Sequence, residues 1–224
     1  MTRIVKSNSC GFLLVSRPAS MLRGMNTRSV VASLGVRERI LETALDEFYA
    51  SGFHGATMRN IANSAGCSAA NVYNHFENKS ELLVEILRRA SDEQFTATRN
   101  ALRKAGPHPV DRWRAAVVAH ALFTARNPRA CLVANSELRY LGEVDRKRVV
   151  GSRDAQEQLF VDIAEDGVEQ GIFSVPHIHQ AVTAVLTMCA GIPLWFRADG
   201  PLTAQEVADD FGVYALNLVG YRVS

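Results

Sequence analysis

The sequence predicts an all-α protein of about nine helices. Every organised segment from residue 36 onward spaces its apolar residues three and four apart, and each is bounded by a capping residue or by a glycine or proline breaker. No stretch alternates apolar with polar residues between hairpin turns, and no internal repeat is visible.

The elements follow in chain order. VRERILETALDEFYASG sets Ile40, Leu41, Ala44, Leu45 and Phe48 on one helical face and stops at Gly52. Thr57 is the expected N-cap of MRNIANSA, with Met58, Ile61 and Ala62 inward and Gly66 as terminator. Ser68 caps a very short helix, AANVYNHF. Asn78 and Glu81 have capping-box spacing for a long helix that begins at Lys79 and is ended by GPHP at 106–109. Further helices are expected over about 110–126, 131–141, 143–170, 177–196 and 204–221, the last opened by a second capping box, Thr203 with Glu206. AVTAVLTMCAGIPLWF is apolar on nearly every side, and the final helix aligns Val207, Phe211, Tyr214, Ala215 and Leu218. A second copy of the chain is the economical cover, giving a homodimer through the last two helices.

Composition bounds the class. With 224 residues and 47% hydrophobic content, the chain fills one large domain or two smaller ones. The uninterrupted apolar runs fall short of the roughly 20 residues of a membrane helix, so no membrane partner is expected. Cys10, Cys67, Cys131 and Cys189 are dispersed without ligand spacing, which fits buried small hydrophobes in a reducing, cytoplasmic setting. Net charge is +2, but residues 1–35 alone hold Arg3, Lys6, Arg17, Arg23 and Arg28 with no acid, and the remainder carries 20 basic against 23 acidic groups. Residues 1–35 read as a disordered basic tail. One reading of that tail is an extension ahead of a true start at Met21 or Met25, and the other is a basic arm for phosphates or a minor groove.

Thr57–Phe76 carries the chemistry. It places two short helices and a glycine turn in about twenty residues, which holds a small helix rigidly with its outer face free to enter a major groove. Ala69 and Ala70 keep that helix slim. Asn71 and Asn74 suit base edges or phosphates, and Asn is well matched to adenine N6 and N7. Tyr73, His75, Thr57 and Lys79 suit phosphates. Val72 and Phe76 belong to the core.

The pattern R..IL..A...F...GF.G.T...IA at Arg37–Ala62, followed by AGCSAANVYNHFENKSELL at Ala65–Leu83, resembles the DNA-binding domain of the TetR family of bacterial transcriptional regulators. The match covers about a fifth of the chain and departs from the family pattern at Asn71, where a smaller residue is usual. The resemblance implies a helix-turn-helix domain over 36–84 and a ligand-binding and dimerisation domain over 85–224. It implies double-stranded DNA with a palindromic operator as partner, no cofactor, and a DNA site formed by Thr57, Arg59, Ser68, Ala70, Asn71, Tyr73, Asn74, His75 and Lys79. Repression relieved by an effector is the family expectation.

ANSELRYLGEVDRKRVVGSRDAQEQLF, GIF and GIPLWFRADGPLTAQEVA resemble family members that respond to acyl-CoA thioesters. On that resemblance Trp113, Phe123, Phe160, Met188 and Trp195 line an apolar acyl tunnel, with Asn135 also at the ligand. Arg139, Arg146, Lys147, Arg148 and Arg153 then meet the CoA phosphates at its mouth. Other readings stand beside it: a regulator answering to a free hydrophobic compound, aromatic residues that are simply core, or a helical interaction protein without DNA. No GxSxG, HExxH, P-loop or dinucleotide fingerprint points to an enzyme, and His177-x-His179 is weak as a metal pair.

Overall fold

The computed structural model describes residues 27–221, without the side chains of 27–34 and Arg148. The expectations for residues 1–26 lie outside the described residues. All regular structure among the described residues is helical: α1 Thr27–Gly55, α2 Met58–Ser64, α3 Ala69–His75, α4 Lys79–Lys104, α5 Pro109–Arg126, α6 Pro128–Ser136, α7 Glu143–Glu169, α8 Ile178–Ala190, α9 Ile192–Trp195 and α10 Ala204–Leu218, with a 3-10 turn at Leu138–Tyr140. The chain divides into Met1–Gly35 and Val36–Ser224. Within the first unit, α1 already runs from Thr27, so the expectation of no regular structure before residue 36 fails for Thr27–Gly35. That segment holds no proline, and nothing in TRSVVASL forces a stop.

The predicted caps act as expected, with one change. Thr57, Ser68 and Asn78 accept the N–H of Asn60, Asn71 and Glu81. Thr203 and Glu206 close a complete capping box. Glu81, however, reaches back to the Glu77 N–H at 2.6 Å, not to that of Asn78. Gly66 has φ +66°, and the Cys67 N–H returns to the Ala62 carbonyl, an arrangement that turns the chain between α2 and α3. Gly52, at φ +67°, breaks α1 and swings Phe53 out of the helical path. The helix expected over 177–196 is interrupted at Gly191. α8 is therefore 13 residues, about 20 Å, too short for a bilayer core of about 30 Å, although Ile178–Trp195 is apolar enough by composition.

Two cores result. The first is built around Trp113, Phe160, Phe173, Val182, Ile192, Phe211 and Ala215, where α10 packs on α5 and α7 packs on α5 and α8. The second joins Ile40, Phe48, Ile61, Val72, Phe76, Leu82 and Leu87 of the first four helices to Val133, Ala134, Leu141 and Val149. The small N-terminal helices thus share their core with α6 and the start of α7. α4 belongs to both halves: it carries Leu82–Leu87 in the second core and packs on α5 and α7 beyond it. Arg89 of α4 also holds Glu38 of α1 with both guanidinium ends, at 2.6 and 3.0 Å.

Candidate nucleic-acid interface and effector cavity

α3 sits on the surface by one face only. Val72 is fully buried and Phe76 nearly so, whereas Ala70, Tyr73 and Asn74 are exposed and Asn71 and His75 half-buried. Thr57 and Ser68 use their hydroxyl oxygens as acceptors for helix N–H groups, at 3.1 and 3.2 Å. Each keeps its O–H to donate, which is the polarity a phosphate oxygen needs. Thr57, Arg59, Tyr73 and Lys79 come together around an open groove of about 480 Å³, with His54, Met58 and Ala69. Ser68, Ala70, Asn71, Asn74 and His75 lie outside its lining, along the rest of α3.

Lys79 is the exception to a simple phosphate reading. Its ammonium donates to the Ala56 carbonyl at 2.8 Å and lies 4.5 Å from the centre of the Phe53 ring. One of its three N–H donors thereby ties α4 to the loop before α2, and two remain.

A second site lies inside the helical body, between α4, α5, α6, α7 and α8. This cavity of about 190 Å³ is lined by Ser91, Gln94, His120, Phe123, Thr124, Cys131, Asn135, Arg153, Gln156 and Glu157, among others. Of the residues expected at the ligand, Phe123 and Asn135 line it, joined by Arg153. Trp113 and Phe160 do not: they are fully buried in the first core, meet edge to face, and the Trp113 indole N–H donates to the Ala215 carbonyl at 3.0 Å. Trp195 is half-exposed and stacks on Phe211. Arg139 is exposed over the Tyr140 ring, and Met188 packs against the first core. The apolar aromatic tunnel is therefore replaced by a smaller and more polar chamber.

Of its polar groups Asn135 and Arg153 were singled out from the sequence, and Ser91, Gln94, His120, Thr124, Gln156 and Glu157 were not. The one available signal is His120 with Thr124, four residues apart in the otherwise apolar VVAHALFTA. Burial alone pushes the His120 imidazole down to about 4, so it is neutral at neutral pH. Burial likewise raises the Cys131 thiol to about 11 and Cys189 to about 12, leaving no reactive thiolate at either. No cluster of metal-ligating side chains occurs among the described residues.

α6 connects the two sites. Cys131, Ala134 and Asn135 face the cavity. Two residues later the buried Glu137 carboxylate accepts the Phe53 N–H at 2.8 Å, immediately after the break in α1. At its other end Arg129 pairs with Asp46 of α1. Tyr140 then stacks on Phe53 and meets His54 edge-on.

A helix-turn-helix with an exposed polar recognition helix, carried by a helical body with an internal cavity, defines a transcriptional regulator. The family comparisons agree. Residues 40–86 match the model for bacterial regulatory proteins of the tetR family, and residues 106–219 match that for the tetracyclin repressor-like C-terminal domain. The chain is 27% identical over 177 residues to the HTH-type transcriptional repressor KstR2 of Mycobacterium tuberculosis strain H37Rv, covering 78% of this chain and 88% of that one. It superposes on the TetR-family regulator PfmR of Thermus thermophilus with a TM-score of 0.73 at 31% identity, over 83% of this chain and all of PfmR. AibR, in a crystal structure with isovaleryl coenzyme A and operator DNA, shares the fold with a TM-score of 0.74 at 23% identity, over 84% of this chain and 100% of AibR. The chain belongs to the TetR family. Members bind operator DNA and dimerise, and this protein is a DNA-binding regulator, not an enzyme.

Proposed function

We propose that the protein is a homodimeric repressor, located in the cytoplasm, that leaves a palindromic operator when an acyl-CoA thioester occupies the cavity. The observation that carries this reading is the continuity of α6, which lines the cavity at Asn135 and grips the N-terminal helices at Glu137. A ligand acts only through different affinity for two arrangements. Filling the chamber shifts α6 and α4, and with them the separation of the two α3 helices, which must be about 34–36 Å to meet successive major grooves.

KstR2 being a repressor and AibR being seen with an acyl-CoA favour release by a thioester. At about 190 Å³ the chamber suits the acyl end alone. Arg146, exposed and two turns before Arg153 on the same face of α7, is then available to CoA phosphates outside it. Asn71 and Asn74 read bases, while Thr57, Arg59, Ser68, Tyr73, His75 and Lys79 hold phosphates and Ala70 allows close approach. Leu194 at 70% exposure, with Trp195, Val213, Tyr214 and Leu218, leaves an apolar surface on α9 and α10 that a second subunit covers.

The test is gel retardation with palindromes from the protein's own promoter region, repeated with a panel of CoA thioesters. Retardation that is relieved by a thioester is expected. A protein that retards no palindrome, or one released only by free apolar compounds, refutes the reading.

A further inference from the structure

The cavity holds a hydrogen-bonding network that is one partner short. Gln156 is only 5% exposed. Its Nε2 lies 2.9 Å from Thr98 Oγ1 and 3.1 Å from His120 Nδ1, while its Oε1 is buried without a partner. Turning the amide over does not cure this. Oε1 would then accept from Thr98 and the imidazole, and the NH₂ would be left over instead. The neutral His120 ring has a single acceptor nitrogen, so it cannot take N–H groups from both Gln156 at Nδ1 and Gln94, whose Nε2 lies 3.4 Å from the other nitrogen, and either tautomer leaves one end of Gln156 unused. One end of Gln156, a residue of the chamber's lining, is therefore left unsatisfied, which is costly for a buried group.

Arg153 lies three residues earlier on the same face of α7 and lines the same chamber. It donates one N–H to the Ala134 carbonyl at 2.9 Å. Among the described residues no carboxylate forms an ion pair with it, Glu157 on the next turn included. A half-buried guanidinium and a buried, unpaired amide thus belong to the lining of one chamber of about 190 Å³. Bare hydrocarbon would leave both unsatisfied.

We infer that the effector buries a short, oxygen-bearing end, with one carbonyl or carboxylate oxygen on Arg153 and a second hydroxyl or carbonyl oxygen on Gln156. This rests on the effector reading above and narrows it from acyl chains in general to short oxygenated ones. The two oxygens lie on different groups because the donors sit almost one helical turn apart, so a 3-hydroxy- or 3-oxoacyl group matches better than an unsubstituted one of equal length.

The experiment is a thermal-shift and calorimetric titration of the full chain with butyryl-CoA, 3-hydroxybutyryl-CoA and acetoacetyl-CoA, and with the corresponding free acids. The oxygenated compounds are expected to bind roughly ten- to a hundredfold tighter than butyryl-CoA or butyrate. At a hundredfold excess over Kd they should raise Tm by about 5 °C or more. In Gln156→Leu and Arg153→Met, taken forward only if each unfolds cooperatively, the preference should shrink toward unity. Equal or tighter binding of the unsubstituted partner in wild type overturns the inference while leaving the effector reading intact. If the protein retards operator DNA and none of these four-carbon compounds shifts Tm, the inference fails; if longer CoA thioesters also give no shift, the effector reading fails with it.

Discussion

Glu137→Ala tests the link between the body and the N-terminal helices directly. The substitution removes a carboxylate that accepts the Phe53 N–H at 2.8 Å. A charge-assisted bond of this kind is worth about 1.5–3 kcal/mol, and the orphaned amide sits in a half-buried turn where water replaces the missing acceptor only in part. Against that, a carboxylate that was buried no longer has to be desolvated, which offsets some of the loss. The net is about 1–2 kcal/mol, and at about 2–4 °C per kcal/mol for a chain of this size Tm falls by about 2–8 °C. Glu137→Gln keeps an acceptor, so its loss should be smaller. Unfolding followed by circular dichroism gives the Tm, and hydrogen exchange at the Phe53 amide reports the bond itself, with protection lost in the alanine variant. If Phe53 exchange and Tm are both unchanged in Glu137→Ala, the bond does not couple α6 to α1 and the proposed transmission through α6 loses its basis.

Three further outcomes follow from named groups. His120, held near 4 when folded against a usual 6.5, binds its proton in the unfolded chain first. Its stabilisation is thus full above pH 6.5 and lost as pH falls toward 4, a change on the order of 3 kcal/mol. Thermal unfolding across that window should be steeper in wild type than in His120→Gln, and superposable profiles would contradict the burial argument. Arg59→Ala should weaken operator binding evenly across sequences and flatten the plot of log affinity against log salt by about 0.9 for each phosphate no longer neutralised; an unaltered slope would remove Arg59 from the interface. Leu218→Glu with Tyr214→Glu, placed on the exposed face of α10, should halve the mass seen by light scattering, and a persisting dimer would move the interface elsewhere.

Helix ends were legible because their chemistry is local. Thr57, Ser68, Asn78 and Thr203 all cap where an oxygen-bearing side chain precedes an apolar periodic run, and Gly66 turns the chain where a positive φ is required. The outward face of α3 was legible for the same reason: Val72 and Phe76 follow the period of the core, and Tyr73 and Asn74 do not. The cavity was not. Trp113 and Phe160 look, residue by residue, like a ligand's lining, because apolar size is the same whether it meets a neighbouring helix or a guest. What decides is where helices diverge, and the divergence here opens beside His120 and Gln156, polar residues whose surroundings are set by partners distant in sequence, the two being 36 residues apart. Glu137 escaped notice likewise, since its partner at Phe53 is 84 residues away.

The placement of this network bears on how the protein can switch. Thr98 and Gln94 lie on α4, His120 and Thr124 on α5, and Gln156 on α7, so their mutual bonds tie α5 to α4 and α7, which also carry part of the N-terminal core. An apolar junction at this point would gain stability from any close packing and would repack in small increments. A hydrogen-bonded junction is directional, and one with an unpaired amide end has a second set of bonds available as soon as a partner arrives. On the effector reading proposed above, a ligand would complete the network instead of prying it apart, and the helices would settle into the arrangement in which Gln156 and Arg153 are both satisfied. On the same reading, operator affinity would fall to the extent that this arrangement moves α4 and α6 from the positions fixed by Arg89–Glu38 and Glu137–Phe53. Weakening either tie should therefore reduce the response to effector more than it reduces the binding of effector itself.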